Sequence, residues 1–250
     1  MSLKNKINSF LKPFNVQVHG LGYLQALAKG DFKKDEFDFF KEYFGNKKLT
    51  IYDIGANRGN TAEKFLKFFP GSTIICIEPY PALVKELKVK FKEYTNVVIE
   101  ANAVSDKIGK TVFFVNRSPD TNSLLPSKKT GLNSDVQVET LSSIEVETKT
   151  IVQSFTENNL SQIDILKLDI QGGELNALKG ATELLETKKV NLIYTESYFV
   201  QQYVDQPLFY DIAAYLNSLG YQLQDIYNPI YGKGKLAWCD AIFVKKDVGV

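Results

Sequence analysis

Cysteine is scarce in this sequence, and so is any excess of charge. Two cysteines, Cys76 and Cys239, cannot staple 250 residues into a disulfide framework. Cys76 sits within an apolar run and reads as a buried thiol. Lys and Arg number 30 and Asp and Glu 29, a formal net charge of +1. That balance argues against a dedicated nucleic-acid binder, whose phosphate contacts need a positive field. No window approaches the ~20 apolar residues of a bilayer-spanning helix, so no membrane span is expected. The opening MSLKNKINSFLKPF lacks an apolar core and a small-residue cleavage site, and does not read as a secretory signal. Repeats and low-complexity segments are absent as well. The one histidine, His19, reads as a packing or surface residue, and Trp238 as a core or edge-strand residue. What is present is ordinary: 44% hydrophobic and 24% charged residues, the composition of a globular protein. A chain this long buries roughly three-quarters of its unfolded surface without staples. These properties point to a cytoplasmic protein of one domain with additions.

The rhythm of the chain changes near residue 49. Residues 21–30 and 33–45 carry apolar residues at helical spacing, the second run ending on Gly45, so residues 1–48 read as an N-terminal helical cap. Residues 49–250 then read as the main domain. Strands are expected at 49–55, 72–79 and 96–105, with helices at 61–69 and 81–94 between them, the pattern of parallel βαβ units. Residues 106–150 break this alternation as a β-rich insertion, with strands at 111–115, 136–141 and 144–152 and a polar loop at 116–135. A loop of that length is a candidate substrate cover; its polar residues Asn116, Arg117, Asp120, Asn122 and Ser123 would suit a hydroxyl-rich acceptor and equally solvent, with solvent the default reading. The α/β rhythm resumes with a strand at 164–170, a helix at 174–187, a strand at 190–197 and a helix at 207–218. Two closing strands, 221–228 and 237–246, form a candidate antiparallel hairpin.

Five places carry residues suited to chemistry. Asp53-Ile-Gly55-Ala-Asn57-Arg-Gly59 lies where a strand gives way to a helix, and its glycines permit a tight turn and close ligand approach. Its spacing departs from the dinucleotide fingerprint G-x-G-x-x-G. Glu78, about 20 residues beyond, ends the next strand, where a carboxylate accepts from both hydroxyls of an unphosphorylated ribose. Asn102 and Ala103 end the third strand, an amide for an adenine edge beside a side chain small enough to admit the ring. Lys167 and Asp169 share a strand face by period-2 alternation, and among apolar neighbours such charges need a partner or a function. Glu174 then opens a helix, where capping accounts for it equally well, and Glu196 ends the following strand on the same rim, placed to support that set or to bind a cation.

In sequence order, DIGANRG (53–59), IEP (77–79), NAVSD (102–106), KLDIQGGE (167–174), LKGA (178–181) and IYTES (193–197) resemble the FkbM-type methyltransferases, a branch of the class I S-adenosylmethionine-dependent enzymes. The similarity spans residues 49–246. It implies an α/β, Rossmann-like class I methyltransferase sheet of seven strands, mostly parallel with one antiparallel, and helices on both faces. It implies that Asp53, Gly55, Asn57 and Gly59 line the methionine end of S-adenosyl-L-methionine, with Glu78 at the ribose and Asn102 and Ala103 beside the adenine. It also implies O-methylation of a hydroxyl on a sugar, glycan or secondary metabolite. Asp169 is then the residue closest to the reacting groups, Lys167 tunes its charge, and Glu174 with Glu196 orients the acceptor. No metal site is assigned. The sequence departs from the family where acidic residues are common, at Gln153 and Gln171. These leave open a cofactor-binding module without catalysis; an NAD(P)-dependent oxidoreductase is disfavoured by the missing dinucleotide fingerprint.

Overall fold

A computed structural model of the chain describes residues 35–128 and 138–246. The helix expected at 21–30 and part of the loop expected at 116–135 lie outside the described residues. The chain divides into two units, residues 1–45 and 46–250. In the first, helix α1 (Glu36–Phe44) begins at Asp35, whose carboxylate accepts from Asp38 N at 2.8 Å, and stops at Gly45 with φ +64°.

The second unit contains a seven-stranded sheet built from β1 (Thr50–Ile54), β2 (Thr73–Ile77), β3 (Val97–Glu100), β7 (Ile163–Leu168), β8 (Val190–Tyr198), β9 (Tyr221–Gly232) and β10 (Lys235–Lys245). Their spatial order is β3-β2-β1-β7-β8-β10-β9. The pairs from β3 to β8 are parallel, and β10 runs antiparallel to both β8 and β9. The central strands read as nearly unbroken apolar runs because both faces are covered; Ile51, Ile74, Ile165 and Ile193 are all fully buried. Strand order reverses between β1 and β7. Right-handed crossovers therefore carry α2 (Asn60–Phe68) and α3 (Pro81–Lys90) to one face, and α5 (Glu174–Lys179) with α6 (Thr182–Glu186) to the other. Helix α7 (Phe209–Ser218) follows β8 and packs its Ile212 and Leu216 into the core. Cys76 on β2 and Cys239 on β10 are buried and take part in no disulfide. Among the described residues no helix is long and apolar enough to cross a membrane.

Three expected elements are cut differently. The strand expected at 96–105 breaks after Glu100, and Ala103–Val104 forms β4 of a second sheet, which continues with β6 (Thr140–Lys149) and then β5 (Gly109–Asn116). The break falls at Asn102, whose side chain donates to Ala103 O at 2.9 Å, a local bond that replaces ladder pairing. The strand expected to reach residue 152 stops as β6 (Thr140–Lys149), paired antiparallel with β5 (Gly109–Asn116). Thr150 caps the next helix, α4 (Ile151–Glu157), by accepting from Gln153 N at 3.1 Å. The helix expected at 174–187 is two short helices, α5 and α6, divided at Gly180 and Ala181.

Gly59 is the residue on which α2 starts. Its φ is +73°, and a Cβ there would stand 2.5 Å from Phe91 Cε2 and 2.8 Å from Leu87 Cδ2 on the segment that carries α3. Gly59→Ala is therefore expected to lower the unfolding free energy by about 1–3 kcal/mol in urea titrations. An unchanged midpoint would show that the close packing of α2 on α3 is not required.

Candidate active site

The carboxyl ends of β2, β1, β7 and β8 border one cleft of about 530 Å³, at the edge where strand order reverses. Its first wall is the turn after β1. Gly55 N and Ala56 N both donate to Ile77 O, at 3.0 and 3.1 Å, which fastens this turn to the end of β2. Gly55 has φ +76°, and a Cβ would overlap Asp169 O at 1.9 Å, so only glycine lets the turn lie against the end of β7. Asn57 takes a left-handed conformation, φ 49°, and its N–H donates to Glu78 Oε2 at 3.0 Å. Tyr80 N donates to Glu78 Oε1 at 2.9 Å. Burial pushes the Glu78 carboxyl above the ordinary glutamate range, opposed by these two backbone donors and by the charge of Lys167.

Lys167 stands under the middle of the cleft. Its Nζ lies 2.9 Å from Asp53 Oδ1 and 3.6 Å from Asp169 Oδ2, and donates to Gly55 O at 3.1 Å. Burial works against the ammonium, yet Asp53 and then Asp169 hold its pKa above the usual lysine value. The Asp53 carboxyl is itself pushed up by burial and pulled back by Lys167. Lys167 is thus a partnered charge in a low-dielectric site, where loss of either member strands the other at a cost of about 3–5 kcal/mol.

At the β7 and β8 end, five side chains meet. Gln171 Nε2 donates to Asp169 Oδ1 at 3.1 Å and to Glu196 Oε2 at 2.7 Å. Its Oε1 faces the hydroxyls of Tyr198 and Tyr203, each at 2.9 Å. Tyr198 Oη also lies 2.8 Å from Glu196 Oε2. Burial, followed by the charges of Asp169 and Glu174, lifts the Glu196 carboxyl well above its ordinary value. Glu174 stands behind this group: it accepts from Ile170 N at 3.0 Å and from Gly172 N at 3.0 and 3.2 Å, clamping the turn that carries Gln171.

The segment after β5 covers the cleft and is not solvated as the sequence suggested. Asn116, Asn122 and Ser123 are buried. Ser123 Oγ donates to Gln171 O at 2.7 Å, and Tyr203 Oη approaches Thr121 O at 2.9 Å. Arg117 and Asp120 remain exposed; Arg117 pairs with Glu139 at 2.7 Å, while Asp120 accepts from Asn57 Nδ2 at 3.0 Å. Asn122 Oδ1 is taken by Asn116 N at 2.8 Å, and among the described residues its buried Nδ2 has no hydrogen-bond partner; the buried Gln202 Nε2 has none there either. Both residues line the cleft.

The cleft brings together Gly55, Asn57, Glu78, Asn102, Ala103, Lys167, Asp169 and Glu196 from the expected set. Three expected positions stand back from it. Asp53 is fully buried behind Lys167, Gly59 is held against α3, and Glu174 is turned into its own loop. Gln153 is also remote from the acid cluster: it sits in the first turn of α4 and donates to Glu157 at 2.8 Å. The sequence reading missed Gln171, Tyr198, Tyr203, Trp238 and Gln202, and it left Asn122 to solvent by default. Tyr198 carried a usable signal, since alternation puts it on the face of Glu196; Tyr203 and Gln202 lie in an irregular segment with no period to read.

A family model described as the methyltransferase FkbM domain matches residues 53–223. The chain belongs to this family. The 2-O-methyltransferase NoeI of Sinorhizobium fredii (strain NBRC 101917 / NGR234) is 28% identical over 165 residues, which cover 64% of this chain and 65% of that protein. The chain thus spans about two-thirds of the length of its curated relative. The crystal structure of methyltransferase FkbM from Methylobacillus flagellatus KT aligns with a TM-score of 0.50 at 14% identity, covering 79% of this chain and 43% of that one. That is a likeness of fold. The sheet of this FkbM family member is the expected class I arrangement, with β10 as its one antiparallel strand.

Glu174 gives the site a pH signature. Burial raises its carboxyl from 4.5 to about 7; three backbone N–H contacts oppose the rise, and the charge of Asp169 adds to it. Between those values the folded chain keeps a proton that the unfolded chain has released. Stability contributed at this residue is therefore complete below about pH 4.5 and declines as pH rises through 7, by about 3 kcal/mol in all. In denaturant titrations from pH 4.5 to 8, Glu174→Gln should show a shallower decline than the wild type. Parallel profiles would refute the assignment.

Proposed function

We propose that this chain transfers the methyl group of S-adenosyl-L-methionine to a hydroxyl oxygen of a sugar, a glycan or another small-molecule acceptor. The observation that carries this reading is a single cleft running from the Glu78 carboxylate, at the end of β2, to the acid and amide cluster three strands away on β8. The residues present suit the cofactor. Each Glu78 oxygen accepts one backbone N–H, so each keeps a lone pair for one hydroxyl of a ribose diol. Asn102 and Ala103 line the same end, and the methyl side chain of Ala103 leaves room for a flat base. When bound, S-adenosylmethionine supplies a methyl carbon already made electrophilic by its sulfonium.

The remaining tasks fall to the protein. The turn at Gly55 and Asn57 borders the cofactor, and the Lys167 ion pair behind it keeps that turn against β7. Asp169, half exposed at the cleft, takes the proton of the acceptor hydroxyl, a contribution of typically 10²–10⁴-fold. Glu196 and Tyr198 position the acceptor, with Trp238 alongside Tyr198 at a ring-centroid distance of 6.0 Å. The buried Asn122 and Gln202 nitrogens are donors in want of oxygen atoms, which suits a hydroxyl-rich acceptor. Glu174 serves by holding the loop of Gln171. An oxygen acceptor also agrees with the name of the NoeI relative, a 2-O-methyltransferase. The near-zero net charge favours small or neutral acceptors over nucleic acid.

Calorimetry with S-adenosylmethionine and S-adenosylhomocysteine tests the cofactor end. Glu78→Ala should weaken both at least about tenfold, equal to 1.4 kcal/mol; absence of heat with the wild type would overturn the proposal. Asp169→Asn should keep cofactor affinity within about threefold of wild type yet slow labelled-methyl transfer to extracted glycans and small metabolites by at least about tenfold. Binding without transfer to any acceptor in that screen would favour a module without catalysis.

A further inference from the structure

We propose that the acceptor is a neutral pyranose, that its apolar face stacks on Trp238, and that the Asn122 and Gln202 amides donate to hydroxyls on its rim. The inference deepens the proposed function by naming the acceptor class. That this sugar receives a methyl group rests on that reading, whereas the stacking site does not.

The topology leads to it. β10 runs antiparallel to β8, so the first half of β10 comes to the edge where β8 ends, and Trp238 stands directly opposite Tyr198 in that ladder. Trp238 is the one residue of β10 that lines the cleft, and β10 lies four places from β2, whose end carries Glu78. The indole thus borders the end of the cleft remote from the ribose carboxylate. Among the described residues, the aromatic side chains lining the cleft are Phe113, Tyr198, Tyr203 and Trp238. The first three are buried, and Trp238 keeps part of its surface open. Tyr198 Oη is fixed within 2.9 Å of Gln171 Oε1 and 2.8 Å of Glu196 Oε2, and its ring backs the indole at 6.0 Å with a tilt of 33°.

The strand bends around this residue. From Leu236 to Trp238, β10 advances two residues while β9 passes from Tyr231 to Ile230; from Trp238 to Asp240, β9 passes from Ile230 to Tyr227. One bulge therefore flanks Trp238 on each side, on opposite strands, and the second cancels the register change of the first. The ladder with β8 meanwhile continues unshifted from Trp238 to Val244. Bulges beside active sites bend a strand and re-aim a side chain, and here regular pairing is given up only on the side away from the cleft.

The surrounding atoms select the ligand. An indole face is electron-rich and attracts either another aromatic ring or the partly positive C–H bonds of a sugar face. The rim decides between them. Asn122 and Gln202 line the same cleft at 8% and 6% exposure, and among the described residues their side-chain nitrogens have no hydrogen-bond partner. A buried donor without an acceptor is costly, so both call for oxygen atoms. A phenol brings one or two oxygens and leaves donors empty. A pyranose brings hydroxyls around its circumference, each able to donate and to accept, and C–H bonds on its faces. An anionic sugar would meet the acids Asp169 and Glu196, while Lys167 is already engaged by Asp53 at 2.9 Å.

The sequence holds one tryptophan, so tryptophan emission reports on Trp238. The test titrates the protein with methyl glycosides of the common neutral pyranoses, with and without saturating S-adenosylhomocysteine. At least one should give a saturable emission change; no response to any of them would overturn the proposal. Calorimetry with that glycoside and with p-cresol compares the two ligand shapes, and tighter binding of p-cresol would overturn the acceptor class. Trp238→Leu should weaken the glycoside about tenfold, Trp238→Phe should restore most of the loss, and affinity for S-adenosylhomocysteine should stay within about threefold in both. Equal glycoside affinity in Trp238→Leu and the wild type would remove the platform. Asn122→Asp keeps the oxygen that accepts from Asn116 N but loses the donor, and should also weaken the glycoside; an unchanged affinity would remove this amide from the site. If S-adenosylhomocysteine gives heat and no glycoside binds, the acceptor class alone falls. If glycosides bind and S-adenosylhomocysteine gives no heat, the methyl-transfer reading falls and the stacking site stands.

Discussion

The Lys167 ammonium is the point on which the site is assembled. Lys167 and Asp53 are register partners on β7 and β1, the two strands between which the sheet reverses direction. The reversal opens a crevice at the carboxyl edge, and the ion pair closes its base. By also binding Gly55 O and approaching Asp169, the same ammonium ties the turn after β1 to the turn after β7. A charge so deep is costly unless it is fully partnered, and here the partners are parts of the walls it holds.

From that base the two ends of the cleft differ in chemistry. Around Glu78 the carboxylate oxygens are fixed by backbone donors, which need no side-chain ordering. Around Gln171 the atoms are side chains that satisfy one another: two acids, one amide and two phenols. Such a network is stiff when complete and sensitive to any single deletion, because each lost partner leaves another group buried without a bond. The segment after β5 extends this rigidity by bonding to the Gln171 carbonyl through Ser123.

Much of this was legible in the residues. The apolar runs at Ile51, Ile74 and Ile165 announced central strands, and the breaks at Gly55, Glu78 and Asp169 marked the edge that borders the cleft. Periodicity did not foresee that Asn102 would bond its neighbour's carbonyl and send the chain into a second sheet. Nor did it foresee that Thr150 would cap a helix inside an apparent strand; both are side-chain to backbone bonds that compete locally with pairing. Asp53 and Glu174 were read as functional from the family resemblance, with capping as the competing account of Glu174. The first answers a buried lysine and the second a pair of backbone amides, and neither partner can be inferred from spacing. Gln171 was discounted for lacking a charge, although its neutrality is what allows it to donate to two acids at once.

The two buried cysteines have a practical corollary. Cys76 lies on β2, on one side of the reversal in strand order, and Cys239 on β10, on the other. Neither offers its sulfur to solvent, and burial pushes the Cys76 thiol upward, away from the reactive thiolate. Alkylating reagents can therefore reach each sulfur only when its own part of the sheet opens. The chain carries a built-in reporter on either flank, so the order in which the two halves come apart is readable by mass spectrometry without adding a probe.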